Sequence, residues 1–135
     1  MKLNQATDYA FRAVLHLSSL PRGKVLEARV IAEQQQIPMR FMLKILHMLV
    51  QAGIVESFRG VGGGYALAKA PREISLRDVV EAVEGPIYIN RCLIAPEECN
   101  KRNTAHCSVH NALRSVQQAI NQQLEECDFE TLSKG

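Results

Sequence analysis

The stretch IPMRFMLKILHMLVQAGIVESFRGVGGGYAL, residues 37–67, changes its hydrophobic period midway. Up to Gln51 the apolar residues recur every three or four positions: Met42, Ile45, Leu46 and Leu49 form one stripe, the mark of an amphipathic helix. Ile37-Pro38 reads as a stop followed by a start, because proline suits the first helical turn. The helix is predicted from about Met39 to Ala52, with Gly53 as its left-handed cap. Arg40, Lys44, His47 and Gln51 are spaced 4, 3 and 4 and form a polar stripe without an acid. That stripe is either an ordinary solvated face or a recognition helix reaching base edges and phosphates in a major groove. From Ile54 the period becomes two. Residues 54–58 alternate like a strand, 59–64 turn, and Tyr65-Ala66-Leu67 return, which makes a hairpin. Four glycines in positions 60–64 let the backbone pass close to another surface. This turn lacks the Lys-Ser/Thr ending of a phosphate-binding P-loop, and a strand follows it instead of a helix. A hairpin directly after a helix-turn-helix is a wing. Arg59 is then placed to enter a minor groove or grip phosphate, with Gly62 and Gly63 in the turn beside it.

Two helices should precede this unit. Tyr9, Ala10, Ala13, Val14 and Leu17 share one stripe, closed by Pro21 and Gly23. A shorter helix fits Glu27 to Gln36, with Val30 and Ile31 expected inside. The charge balance agrees with a nucleic-acid face. Residues 1–72 carry ten Lys/Arg against four Asp/Glu, and residues 73–135 carry six against ten, so a basic half adjoins an acidic one. At 135 residues, 47% apolar and 22% charged, the chain is large enough for a core and too apolar for global disorder. Met-Lys-Leu-Asn-Gln-Ala-Thr does not read as a signal peptide, and no run approaches the roughly 18 apolar residues of a membrane helix. The expectation is a cytoplasmic protein without membrane contact.

Beyond residue 72 the sequence changes task. Ser75-Leu76-Arg77-Asp78 fits a capping box, and the helix it opens should bury Leu76, Val79, Val80 and Val83 before Gly85-Pro86 stops it. A last helix is predicted from Ser108 to about Glu126. Its stripe of Val109, Leu113, Val116, Ile120 and Leu124 meets either the chain's own first helix or a symmetry mate in a homodimer. The domains expected are 1–72, a winged helix-turn-helix, and 73–135, a sensor loop with a dimerisation helix. The fold class is mainly α with a small β-hairpin.

Between these helices lie Cys92, Cys99 and Cys107, three of the four cysteines, followed by His110. The spacing C-x6-C-x7-C-x2-H has no tight C-x2–4-C knuckle, which argues against a zinc ribbon. A reducing compartment disfavours structural disulfides, and three thiols leave one over. Iron–sulfur clusters accept longer spacings, with thiolates as the usual ligands and imidazole as a substitute. Bare redox thiols stay open as an alternative. Cys127, among Glu125, Glu126 and Asp128, reads as a spectator; His106 is a lesser ligand candidate, and His16 is expected to pack.

Met-Lys-Leu with Thr7-Asp8-Tyr9-Ala10, the Ala52-Gly53 ending and Arg59-Gly60-Val61-Gly62-Gly63-Gly64-Tyr65, followed by the three-cysteine loop, resemble the iron–sulfur regulators of the IscR and NsrR type. The similarity spans nearly the whole chain. It implies a bacterial transcriptional regulator, not an enzyme, holding a 2Fe–2S or 4Fe–4S cluster on Cys92, Cys99 and Cys107. The fourth ligand would be His110, or Asp8 from the partner subunit. The intervals of six and seven depart from the family's common five. The resemblance also implies a dimer that sets two winged domains on a roughly palindromic double-stranded operator, with half-sites about 34 Å apart. A small iron–sulfur carrier using the helix-turn-helix for protein contact is the remaining alternative; no C-x-x-C or nucleophile–base motif points to an enzyme.

Overall fold

The computed structural model describes residues 2–98 and 107–135. Its elements run α1 (Gln5–Ser18), α2 (Ala28–Gln35), α3 (Met39–Gln51), β1 (Val55–Phe58), β2 (Gly64–Leu67), α4 (Leu76–Glu84), α5 (Arg91–Ile94), α6 (Ser108–Glu126) and α7 (Phe129–Lys134). Short 3-10 turns at Pro71–Glu73 and Pro96–Glu98 link them. This is the mainly helical fold with one antiparallel hairpin that the sequence predicts. Each boundary has a local cause. Asn4 caps α1, its side chain accepting from the Thr7 amide. Gln36 takes a left-handed conformation (φ 55°) and turns the chain between α2 and α3. Gly53, at φ 77°, ends α3 as predicted.

The core lies where the amphipathic faces of α1, α2 and α3 meet. Ala10, Ala13, Val14, Leu17, Ile31, Met42, Ile45, Leu46 and Leu49 are buried there. In α2 the buried positions are Ala28, Ile31 and Ala32, and Val30 is only half-buried. The expectation of an inward Val30 was therefore displaced: on this two-turn helix the inner face includes small alanines, which let α2 approach its neighbours closely.

The hairpin pairs Val55 with Leu67 and Phe58 with Gly64. A segment ahead of α2 joins it, since Leu26 and Tyr65 exchange backbone hydrogen bonds of 2.9 and 2.7 Å. Gly64 explains this close approach, because a Cβ there would lie 2.3 Å from the Leu26 carbonyl oxygen. The hairpin thus rests on the helical body along one strand and leaves its Arg59–Gly63 end exposed or nearly so.

The core does not stop at residue 72. Ile74 and Val79 enter it from the second half, and α4 packs on both α1 and α3. The capping box forms: Ser75 Oγ accepts from the Asp78 amide at 3.1 Å, and Asp78 accepts from the Ser75 amide at 3.0 Å. Two short helices were absent from the sequence expectation. One is α5, which carries Cys92. The other is α7, whose Phe129 is 1% exposed and packs with the α1 stripe. A backbone bridge holds α7 in place: the Leu76 amide donates to Cys127 O and the Phe129 amide to Ile74 O.

Candidate DNA interface and thiol site

The residues expected on the recognition helix all lie outside the core. Arg40, Lys44, His47 and Gln51 are exposed on α3, opposite the buried Met42, Ile45, Leu46 and Leu49. Among the described residues, none of Arg40, Lys44 and Arg59 is ion-paired to a carboxylate. Arg40 stacks over the Phe41 ring at 5.1 Å, and Phe41 meets Tyr9 of α1 with ring centroids 6.2 Å apart. This stacking braces the start of α3 without neutralising its charge. At the hairpin end Arg59 is exposed, as is Gly62, and Gly63 is half-buried. A Cβ on Gly63 would meet the Phe58 carbonyl oxygen at 2.4 Å, so only glycine permits this turn. Cationic side chains on the acid-free α3 and at the end of the adjoining hairpin, whose exposed acid Glu56 lies on β1, suit a polyanion.

The thiol site is assembled from two elements. Cys92 is on α5, Cys107 caps α6, and His110 occupies the first turn of α6. His110 Nδ1 lies 3.1 Å from Cys92 Sγ, and the His110 amide donates to Cys107 Sγ at 3.5 Å. The Asn90 side-chain amide also donates to Cys92 Sγ, at 3.3 Å. Three of the four expected ligands therefore gather at one end of α6, half-buried. Cys99, the remaining thiol, and His106 lie outside the described residues. Two thiols and an imidazole match by type the donor set of an iron–sulfur centre. The Cys92–His110 contact is a hydrogen bond, so joint ligation of a cluster requires that pair to separate. Among the described residues no group of three His, Cys, Asp or Glu side chains closes on one point.

Asp8 is elsewhere. It is exposed on the first turn of α1 and pairs with Arg12 at 2.8 Å, while Arg12 also donates to Gln35 O at 3.3 Å. Cys127 is half-buried at the end of α6. His16 packs within α1's surroundings, its Nε2 buried without a hydrogen-bond partner among the described residues.

Two features of the site escaped the sequence reading. Gln117 is buried on α6, accepts from the Ile89 amide at 2.7 Å and donates to Asn121 at 3.0 Å. It fastens the chain just before Cys92 to the long helix. Glu84 accepts from the Asn4 amide at 3.3 Å and from the Thr7 hydroxyl, tying the end of α4 to the start of α1. A glutamine flanked by other amides carries no sequence signal that singles it out.

A helix-turn-helix with a hairpin wing defines the class: a winged-helix DNA-binding protein. The model of an iron-dependent transcriptional regulator family matches residues 3–135, and the chain belongs to that family, Rrf2. A helix-turn-helix-type regulator of Shouchella clausii, NsrR, is 32% identical over 114 residues, 84% of this chain and 72% of its own. Among solved structures, CymR, the global cysteine regulator of B. subtilis, superposes with a TM-score of 0.79 at 23% identity, covering 99% of this chain and 97% of that one. IscR of T. potens gives 0.76 at 22%, covering 99% and 88%. The chain is thus a transcriptional regulator, and no helix among its described residues is long and apolar enough to cross a membrane.

Proposed function

We propose that this regulator binds a roughly palindromic DNA operator as a homodimer and that an iron–sulfur cluster on the 92–110 segment sets its operator affinity. Residues 1–72 contact DNA and residues 73–135 sense and dimerise. The observation that carries the reading is the gathering of Cys92, Cys107 and His110 at the head of α6, the helix whose exposed Val109 and Val116 face outward. Cys99 supplies the third thiolate. His110 is the fourth ligand, with Asp8 of the partner subunit as the alternative; using Asp8 would cost its ion pair with Arg12. The cluster, when bound, supplies redox and nitrosyl chemistry. The protein's own part is to hold thiolates and imidazole on a segment anchored by Gln117 on one side and α6 on the other. On the DNA side Arg40, Lys44, His47 and Gln51 face the major groove, while Arg59, Gly62 and Gly63 approach the backbone or minor groove.

Anaerobic purification tests this reading. Visible absorption bands with matching iron and acid-labile sulfide are expected, and their loss in a Cys92→Ala variant. Protein that stays colourless after reconstitution with iron and sulfide would contradict it. A second reading, a metal-free thiol switch on the same scaffold, is favoured by the Cys92–His110 hydrogen bond, which sets an imidazole against a thiol. It predicts a reversible disulfide among Cys92, Cys99 and Cys107, detectable by mass spectrometry after mild oxidation.

A further inference from the structure

The outward face of α3 is not purely polar. Leu43 is 46% exposed and Met39, one turn earlier, is 41% exposed. Leu43 is flanked by Lys44 in sequence and lies one turn from both Arg40 and His47. At 100° per residue it sits about 40° from His47 around the helix axis, at the margin of the cationic stripe. A single exposed leucine needs no explanation. Here, two large apolar side chains stacked at i and i+4 adjoin cations on an acid-free helix, and both stay exposed among the described residues.

We propose that Leu43, with Met39 beside it, reads thymine in the operator by packing on its 5-methyl group. The inference rests on α3 entering a major groove. Charge decides the occupant: a surface that combines an apolar edge with Arg40, Lys44 and His47 complements an anionic partner offering small apolar groups. In the major groove only thymine presents such a group, its C5-methyl, beside phosphates that the cations neutralise. A leucine reads that methyl by contact alone, so it discriminates thymine from cytosine and from uracil without a hydrogen bond. Arg40, Lys44 and Gln51 are left for phosphates and for guanine or adenine edges.

The experiment uses the full-length protein. Duplexes enriched from a random pool by the wild type define the site, and each thymine in it is then replaced singly by deoxyuridine, which deletes only the methyl. At one thymine or more per half-site the replacement should weaken binding about four-fold, the worth of one buried methyl. Leu43→Ala should bind the thymine site more weakly and be indifferent to deoxyuridine at that position, while keeping the wild type's far-ultraviolet circular dichroism. Sites in which every thymine is replaceable without loss would overturn the proposal. So would a deoxyuridine penalty that persists undiminished in Leu43→Ala. If no duplex is enriched and none is retarded even at low salt, the DNA-binding reading of α3 falls and the proposal with it; retarded but deoxyuridine-insensitive DNA sinks the role of Leu43 alone.

Discussion

Phe129 and Asp128 show how much two adjacent residues can decide. The ring of Phe129 is inside the core on the α1 side, so Phe129→Ala should cost about 3–5 kcal/mol, read as a lower denaturant midpoint. Its position depends on the cap before it. The Thr131 backbone amide donates to Asp128 at 2.9 Å and the Thr131 hydroxyl at 3.0 Å, and these bonds, the amide first, hold the Asp128 carboxyl below its usual range. A lowered folded pKa means that the stabilisation is complete above the unfolded value, about 3.9, and fades as pH falls through the folded value. Melting temperature measured from pH 7 down to pH 3 should therefore drop further below about pH 4 in the wild type than in Asp128→Ala. An equal drop in both proteins would remove this cap from the account. At the DNA face, Arg59→Ala should weaken operator binding and reduce the salt slope by about one unit, measured by titration at several salt concentrations.

At the scale of elements, α3 was legible because burial wrote itself into period: the inner residues Met42, Ile45, Leu46 and Leu49 repeat as a helix must. The wing was legible from the change of pattern at Ile54 and from the glycines of its turn; burial does not alternate there, since Val55 is buried and Glu56, Ser57 and Phe58 are all exposed. The capping box of α4 was legible for a similar reason, since Ser75 and Asp78 are three apart and bond reciprocally. The short helices were not. Four residues in α5 and six in α7 span too few turns to show a period, and α7 is held by docking onto α1 and by the bridge to Ile74. Phe129 becomes a core residue only through that tertiary contact. The cysteines and histidine were visible in the sequence, but the pairing of Cys92 with His110, 18 residues away, required the fold. The wing yields a prediction of its own. Gly64→Ala would drive a Cβ into the Leu26 carbonyl, at a φ of 147° that side chains rarely adopt. It should lower stability by more than about 1 kcal/mol and reduce DNA affinity in proportion to the displaced hairpin. Both are readable by thermal melting and mobility shift.

The whole molecule divides its charges, with the excess of Lys and Arg in residues 1–72 and the excess of acids after them. Yet its core is continuous from Ala10 through Ile74 and Val79 to Phe129. A change at the proposed thiol site would therefore reach residues 1–72 through packed elements, α6 on α4 and α4 on α1 and α3. On α6, Val109 is 64% and Val116 47% exposed, and a second copy is the occupant proposed for that stripe. Val116→Asp should shift the protein to monomer in analytical ultracentrifugation and weaken binding to a two-half-site operator more than to a single half-site. Coupling between cluster and operator needs only about 1–3 kcal/mol of differential affinity. The most direct measurement compares operator affinity, without oxygen and at one salt concentration, for iron- and sulfide-loaded protein and for a variant with Cys92, Cys99 and Cys107 all changed to alanine. Affinities that differ by about five-fold or more are expected, with the loaded protein's affinity moving to the variant's when its iron is removed. Equal affinities for the loaded protein and the variant would contradict that coupling.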